Sequence, residues 1–116
     1  MNLIKHLTGA LAFSFQTFGP GTRRNGILDH ITKEVAEVRD GDGDPKEWVD
    51  LVILPLDGLT RELKERNPLW SNARIARIAA TMIEEKQRIN EARTWPDWRD
   101  FSEDQAIEHD RSDDID

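Results

Sequence analysis

Two pairs of acids stand at equal distances from one short turn, and that symmetry restricts the possible folds of this chain more than any other feature. Glu34 and Glu37 lie in HITKEVAEVRD, and Glu47 and Asp50 lie in PKEWVDLVILPLDGL. Between them runs GDGD around Asp42, with Glu37 and Glu47 each five residues from that centre and Glu34 and Asp50 each eight. If both flanking segments are helices, an antiparallel hairpin stacks the acids in two layers. At a rise of about 1.5 Å per residue the layers are about 4.5 Å apart. Carboxylates so close repel one another strongly unless cations stand between them.

Helical periodicity supports the hairpin. Leu3, Ile4, Leu7, Leu11, Phe15 and Phe18 recur at intervals of one, three or four, and Gly19, Pro20 and Gly21 then stop the run. From about Thr22 to Arg39, Ile27, Ile31, Val35 and Val38 form a narrow apolar stripe, with Glu34 inside it and Glu37 on its edge. Asp44 followed by Pro45 is a helix start, because the aspartate caps free amides and proline is tolerated at the first position. The segment from Trp48 to Leu63 is apolar nearly all round, as in a helix buried on more than one side, and Pro55 is expected to kink it. A strand over WVDLVILPL is the rival, and it would send Glu47 and Asp50 to opposite faces. Asn67 and Pro68 close this helix. Ser71 caps a fourth that runs to about Arg93, with Ile75, Ile78, Met82, Ile83 and Ile89 on its buried side.

The expected fold is therefore all-α: a bundle of about four helices with the acidic hairpin at its site, its core completed by oligomerisation. One domain spans residues 1–101, and 102–116 form an acidic tail without apolar periodicity, expected to be disordered. That tail holds seven acids and one arginine, so it carries −6 of the net −7 and leaves the body nearly neutral. No basic stripe suited to a nucleic-acid polymer is present. Cysteine is absent, which excludes disulfides, thiolate ligands and a cysteine nucleophile. MNLIKHLTGALAFSF is too short and too polar to span a bilayer and only weakly resembles a signal peptide, so the chain is expected to be cytoplasmic, with no membrane partner.

An all-oxygen set of Glu34, Glu37, Glu47 and Asp50 suits magnesium, or manganese in its place, better than zinc. The layer spacing also resembles the separation of about 3.5 to 4 Å in two-metal phosphoryl-transfer sites. Asp40, Asp42 and Asp44 imitate the start of a calcium loop, but Pro45 falls where glycine is needed and Leu51 where a bidentate acid is needed. None of the three histidines has the glutamate three residues before it that a di-iron bundle uses. Lys86, Asn90 and Arg93 line one helical stripe and are either a wet face or contacts for phosphate and sugar. Arg23 and Arg24, beside Gly19 and Gly21, are either part of a plain loop or an approach to a triphosphate. Trp95 and Trp98 either stack on a base or pack. His30, one turn before Glu34, is within reach of that carboxylate or is an ordinary histidine.

Glu34-x-x-Glu37 followed by Glu47-x-x-Asp50 resembles the signature of the MazG-like all-α nucleoside triphosphate pyrophosphohydrolases. FGPGTR, LDHITKEVAEV, EWVDLVILPLDG and RTWPDWR are similar to the dATP/dGTP diphosphohydrolase family of phages and bacteria, over roughly residues 12–100. Two departures stand out: Lys33 where the pattern often has a further glutamate, and a short interval between the pairs. The resemblance implies magnesium-dependent cleavage between the α and β phosphates of a purine dNTP, dGTP or dATP. Glu34, Glu37, Glu47 and Asp50 carry over as metal ligands, with Glu34 or Glu37 activating water. Lys86 and Asn90, assisted by Arg93, carry over as phosphate or sugar contacts, and Arg23 and Trp95 are further candidates for substrate binding. Relatives form homodimers or dimers of dimers. The alternatives are a noncatalytic helical interaction protein and the same chemistry on a pyrimidine nucleotide such as dUTP.

Overall fold

The structure is a computed structural model that describes residues 1–113; positions 114–116 of the acidic tail lie outside the described residues. It is all-helical, with helices α1 (Leu3–Phe18), α2 (Arg24–Asp40), α3 (Pro45–Arg66) and α4 (Asn72–Ala92), and no strand among the described residues. The helices pack as a bundle. The chain forms two compact units, Met1–Ala80 and Thr81–Asp116.

Local chemistry fixes the helix ends. The Asn2 side chain accepts from the Lys5 amide at 3.1 Å and starts α1. Gly19 ends that helix with its amide on the Phe15 carbonyl and a φ of 89°, a conformation costly for a residue with a Cβ. Asp44 caps α3 by accepting from the Lys46 amide at 3.0 Å, with Pro45 as the first helical residue. Ser71 accepts from the Arg74 amide at 3.1 Å and opens α4. Helix α3 remains one helix through Pro55, so the strand alternative for WVDLVILPL is excluded. Between α2 and α3 only Gly41–Asp44 intervene, and Gly43 takes the positive φ of 86° that reverses the chain.

In the first unit the core is built on Leu7, Ala76 and Ala79, with Leu3, Leu56, Leu59 and Leu63 packed around them. Beside this apolar cluster sits the largest fully buried side chain, Arg61 of α3. All five of its N–H donors are engaged. Nε reaches Ser14 Oγ at 3.1 Å and Asp57 Oδ1 at 3.3 Å, and Nη1 reaches the Gly19 and Gly21 carbonyls at 3.0 and 2.9 Å. Nη2 reaches the Ser14 carbonyl and hydroxyl at 2.9 and 2.8 Å. The guanidinium also lies 4.4 Å from the centre of the Phe15 ring. One residue of α3 thus fastens the end of α1 and the Gly-Pro-Gly loop.

In the second unit, Trp95 donates its indole N–H to the Asn90 carbonyl at 2.7 Å and meets His109 edge to face at 5.9 Å. The Asp110 amide donates to the Thr94 carbonyl at 2.8 Å. Met82, Ile83 and Ile89, expected on the buried side of α4, are exposed, unlike Ile75. Amphipathic spacing records the surface a face is built to meet, and within one chain this face is open.

Replacing Arg61 with Ala leaves the Ser14, Gly19 and Gly21 acceptors and the Asp57 carboxylate without their buried cation. The expected loss of stability is about 3 to 5 kcal/mol, measured by urea denaturation; a loss below about 1 kcal/mol would show that the network is dispensable.

Candidate active site

The hairpin of α2 and α3 brings one carboxylate oxygen each from Glu34, Glu37 and Glu47 within 4.8 Å of one another. Glu37 and Glu47 flank the turn, and Glu34 stands one helical turn further back on α2. Asp50 is not part of this tight group. An aspartate is one methylene shorter than a glutamate, and Asp50 instead lines the adjoining cleft together with Glu34.

Glu34 is the most confined of these acids. Its Oε1 lies 3.3 Å from His30 Nε2, one turn earlier on α2. Its Oε2 is buried and has no hydrogen-bond partner among the described residues. A buried carboxylate oxygen without a partner is costly in a folded protein unless something positive meets it. Burial raises the Glu34 pKa above its ordinary 4.5, and the nearby carboxylates of Glu37 and Asp50 add to the rise, against a smaller opposite effect of His30. Burial also raises the pKa of Glu47, joined by the negative charges of Glu37, Asp50, Glu34 and Asp44. The donor set is oxygen only, its charges repel, and one oxygen is orphaned. These residues fit a hard divalent cation.

A cleft of about 520 Å³ adjoins the acids within the first unit, walled by α1, α2 and α3. Leu11, Phe13, Phe18 and Ile27 supply much of its apolar lining, and Arg23, His30, Asp57 and Thr60 supply polar groups. This is the usual make-up of a small-molecule site. Arg23 opens α2 in a left-handed conformation, φ 46°, and its guanidinium makes no hydrogen bond or ion pair among the described residues. Gly26 leaves room for it, since a Cβ there would stand 3.2 Å from Arg23 Nη2. Arg24, by contrast, is committed to Glu62 through contacts of 2.6 and 3.0 Å.

A family model of dATP/dGTP pyrophosphohydrolases matches residues 7–114. The chain belongs to the dATP/dGTP pyrophosphohydrolase family. This pyrophosphohydrolase is accordingly a hydrolase acting on nucleotide anhydrides. Neither a curated protein nor a solved structure matches the chain.

The remaining sequence candidates of the pyrophosphohydrolase lie in its second unit. Lys86 and Asn90 are on α4, and Asn90 Oδ1 accepts from Arg93 Nη1 at 3.3 Å. Sequence inspection passed over three residues that shape the cleft: Ser14, Asp57 and Arg61. A signal was available. Arg61 stands four residues after Asp57 within the Trp48–Leu63 segment, which is apolar in nearly every direction, so its charge has to be paired.

Because the Glu34 and Glu47 pKa values are raised, these two positions hold more protons in the folded metal-free protein than in the unfolded chain just above pH 4.5. Stability contributed by the protonated acids is then lost as pH rises through the folded pKa values. Glu34→Gln is expected to flatten this decline and to raise the metal-free melting temperature at neutral pH. An unchanged pH profile in thermal melts with chelator would contradict the electrostatic account.

Proposed function

We propose that the enzyme hydrolyses the α–β anhydride of a purine deoxynucleoside triphosphate, dGTP or dATP, releasing the nucleoside monophosphate and pyrophosphate. Magnesium is the proposed cofactor, with manganese as a substitute. The observation that carries this reading is the orphaned, buried Glu34 oxygen beside two converging glutamates at the edge of a cleft of nucleotide-compatible size. Glu34, Glu37, Glu47 and Asp50 would hold the cation. When bound, it neutralises phosphate charge and lowers the pKa of a coordinated water.

The chain's own groups supply the rest. Glu34 or Glu37 orients the attacking water and takes its proton. The water oxygen bonds to phosphorus as the bridging bond between the α and β phosphates breaks, and pyrophosphate departs with the bridging oxygen's electron pair if attack is at the α phosphorus. The raised Glu34 pKa makes that carboxylate a stronger proton acceptor than an ordinary glutamate. His30, whose Nε2 lies 3.3 Å from Glu34 Oε1, pairs with that oxygen when the imidazole is protonated. Arg23 is proposed to meet phosphate, since it is a cleft cation with no internal partner among the described residues. Lys86, Asn90 and Arg93 are assigned to phosphate and sugar, and Trp95 to the substrate, on the family resemblance.

A homodimer or dimer of dimers belongs to the same proposal. Trp48, Val49, Val52 and Ile53 on α3, with Met82, Ile83 and Ile89 on α4, are exposed apolar residues of the sort that protein interfaces cover. No helix among the described residues is long and apolar enough to cross a membrane. A cytoplasmic site, beside the nucleotide pool, is proposed.

Pyrophosphate release should be measured from dGTP, dATP, dCTP, dTTP, dUTP and GTP, with magnesium and with chelator. Release from a purine dNTP is expected only with the metal. Glu37→Gln and Asp50→Asn are each expected to lower it about a hundredfold or more with unchanged helical circular dichroism. Full turnover in both variants would remove the hairpin from the reaction.

A further inference from the structure

We propose that Asp57 reads the nucleobase and selects guanine over adenine. The inference rests on the cleft taking a purine nucleotide, as set out above. It deepens that reading by naming the base and the group that recognises it.

Asp50 and Asp57 both line the cleft and lie seven residues apart on α3. Seven residues are nearly two turns, so the two side chains share a face about 10.5 Å apart along the axis. That span is comparable with the reach from a nucleotide's α phosphate to the far edge of its base. With phosphates at the acids, the base extends toward Asp57. The apolar lining of the same cleft from Leu11, Phe13, Phe18 and Ile27 suits the faces of a flat ring. Phe13 and Phe18 meet edge to face at 6.2 Å, and both remain more than half exposed.

The Asp57 carboxylate is held in place and left partly unsatisfied. Its Oδ1 accepts from Arg61 Nε at 3.3 Å, and its Oδ2 makes no hydrogen bond among the described residues. The side chain keeps 20% of its surface open while Arg61 is fully buried. All of the Arg61 donors are occupied, so the guanidinium cannot swing away and release the carboxylate. An ionised carboxylate only accepts hydrogen bonds. Guanine offers it two adjacent parallel donors, N1–H and the 2-amino group. Adenine presents the N1 lone pair toward the same oxygens and a single amino group beside it. A site built for donors rejects an analogue that lacks them, because its own polar atoms are then left unpaired.

The test is calorimetric binding of dGMP, dIMP and dAMP to the intact protein and to Asp57→Asn, in magnesium. Asparagine retains an oxygen for Arg61 and nearly the same volume, and thermal melts report whether the variant is folded. The wild type is expected to bind dGMP about ten- to a hundredfold tighter than dAMP. dIMP, which keeps N1–H but lacks the 2-amino group, should fall between them. In Asp57→Asn the dGMP advantage should disappear while dAMP affinity stays within about twofold. Equal wild-type affinity for dGMP and dAMP, a parallel loss for both in the variant, or no binding of any of the three would overturn the proposal. Triphosphate hydrolysis is assayed separately. Guanine-selective binding that depends on Asp57, found in a protein that hydrolyses no triphosphate, would strike the proposed reaction and still support the base-reading role.

Discussion

The buried guanidinium of Arg61 is the constraint on which the arrangement of the first unit depends. A charge removed from water has to find its compensation inside the protein, and this one finds it in two carbonyls of the Gly-Pro-Gly loop, in Ser14 at both its carbonyl and hydroxyl, and in Asp57. Those partners come from α1, the loop and α3, so the network sets where α1 ends and where the loop delivers Arg23 at the start of α2. Cleft walls and cleft cation are thus positioned by one residue. A leucine at the same place would fill the volume without specifying the loop.

At the hairpin the electrostatics run the other way. Glu34, Glu37 and Glu47 converge with no lysine or arginine paired to them among the described residues, Glu34 keeps a buried oxygen unpaired there, and burial with mutual repulsion raises the pKa values of Glu34 and Glu47. Such local conflict is characteristic of functional sites, where geometry is held by the surrounding fold against the preference of the side chains. Here the holding structure is the α2–α3 turn, only four residues long, with glycine at its positive-φ position and an aspartate cap at its exit.

Much of this was legible in the sequence because it is encoded locally. Asp44-Pro45 and Ser71 announced two helix starts, Gly19-Pro20-Gly21 and Asn67-Pro68 announced two stops, and equal spacing about Asp42 announced a meeting of four acids, of which Glu34, Glu37 and Glu47 form the tight group. The place of Asp50 at the cleft, outside the tight group, was not legible, because spacing along a helix fixes a face and not the reach of a side chain. Arg61 and its partners escaped notice for a different reason. Ser14 and Gly21 lie more than thirty-five residues from it, a long-range pairing that no local pattern displays. The exposure of Met82, Ile83 and Ile89 shows the converse limit: the apolar stripe is real, but its spacing does not say which surface covers it.

Belonging to the dATP/dGTP pyrophosphohydrolase family fixes the class of bond attacked, and the acidic hairpin is where we propose that this chemistry takes place. The claim is tested most directly by phosphorus NMR of dGTP turnover by the wild-type protein in magnesium, with dATP as the second substrate. The account predicts that the triphosphate signals give way to a monophosphate ester and pyrophosphate in equal amounts. Accumulation of a nucleoside diphosphate with orthophosphate would contradict it, because the bond broken would then be the terminal anhydride.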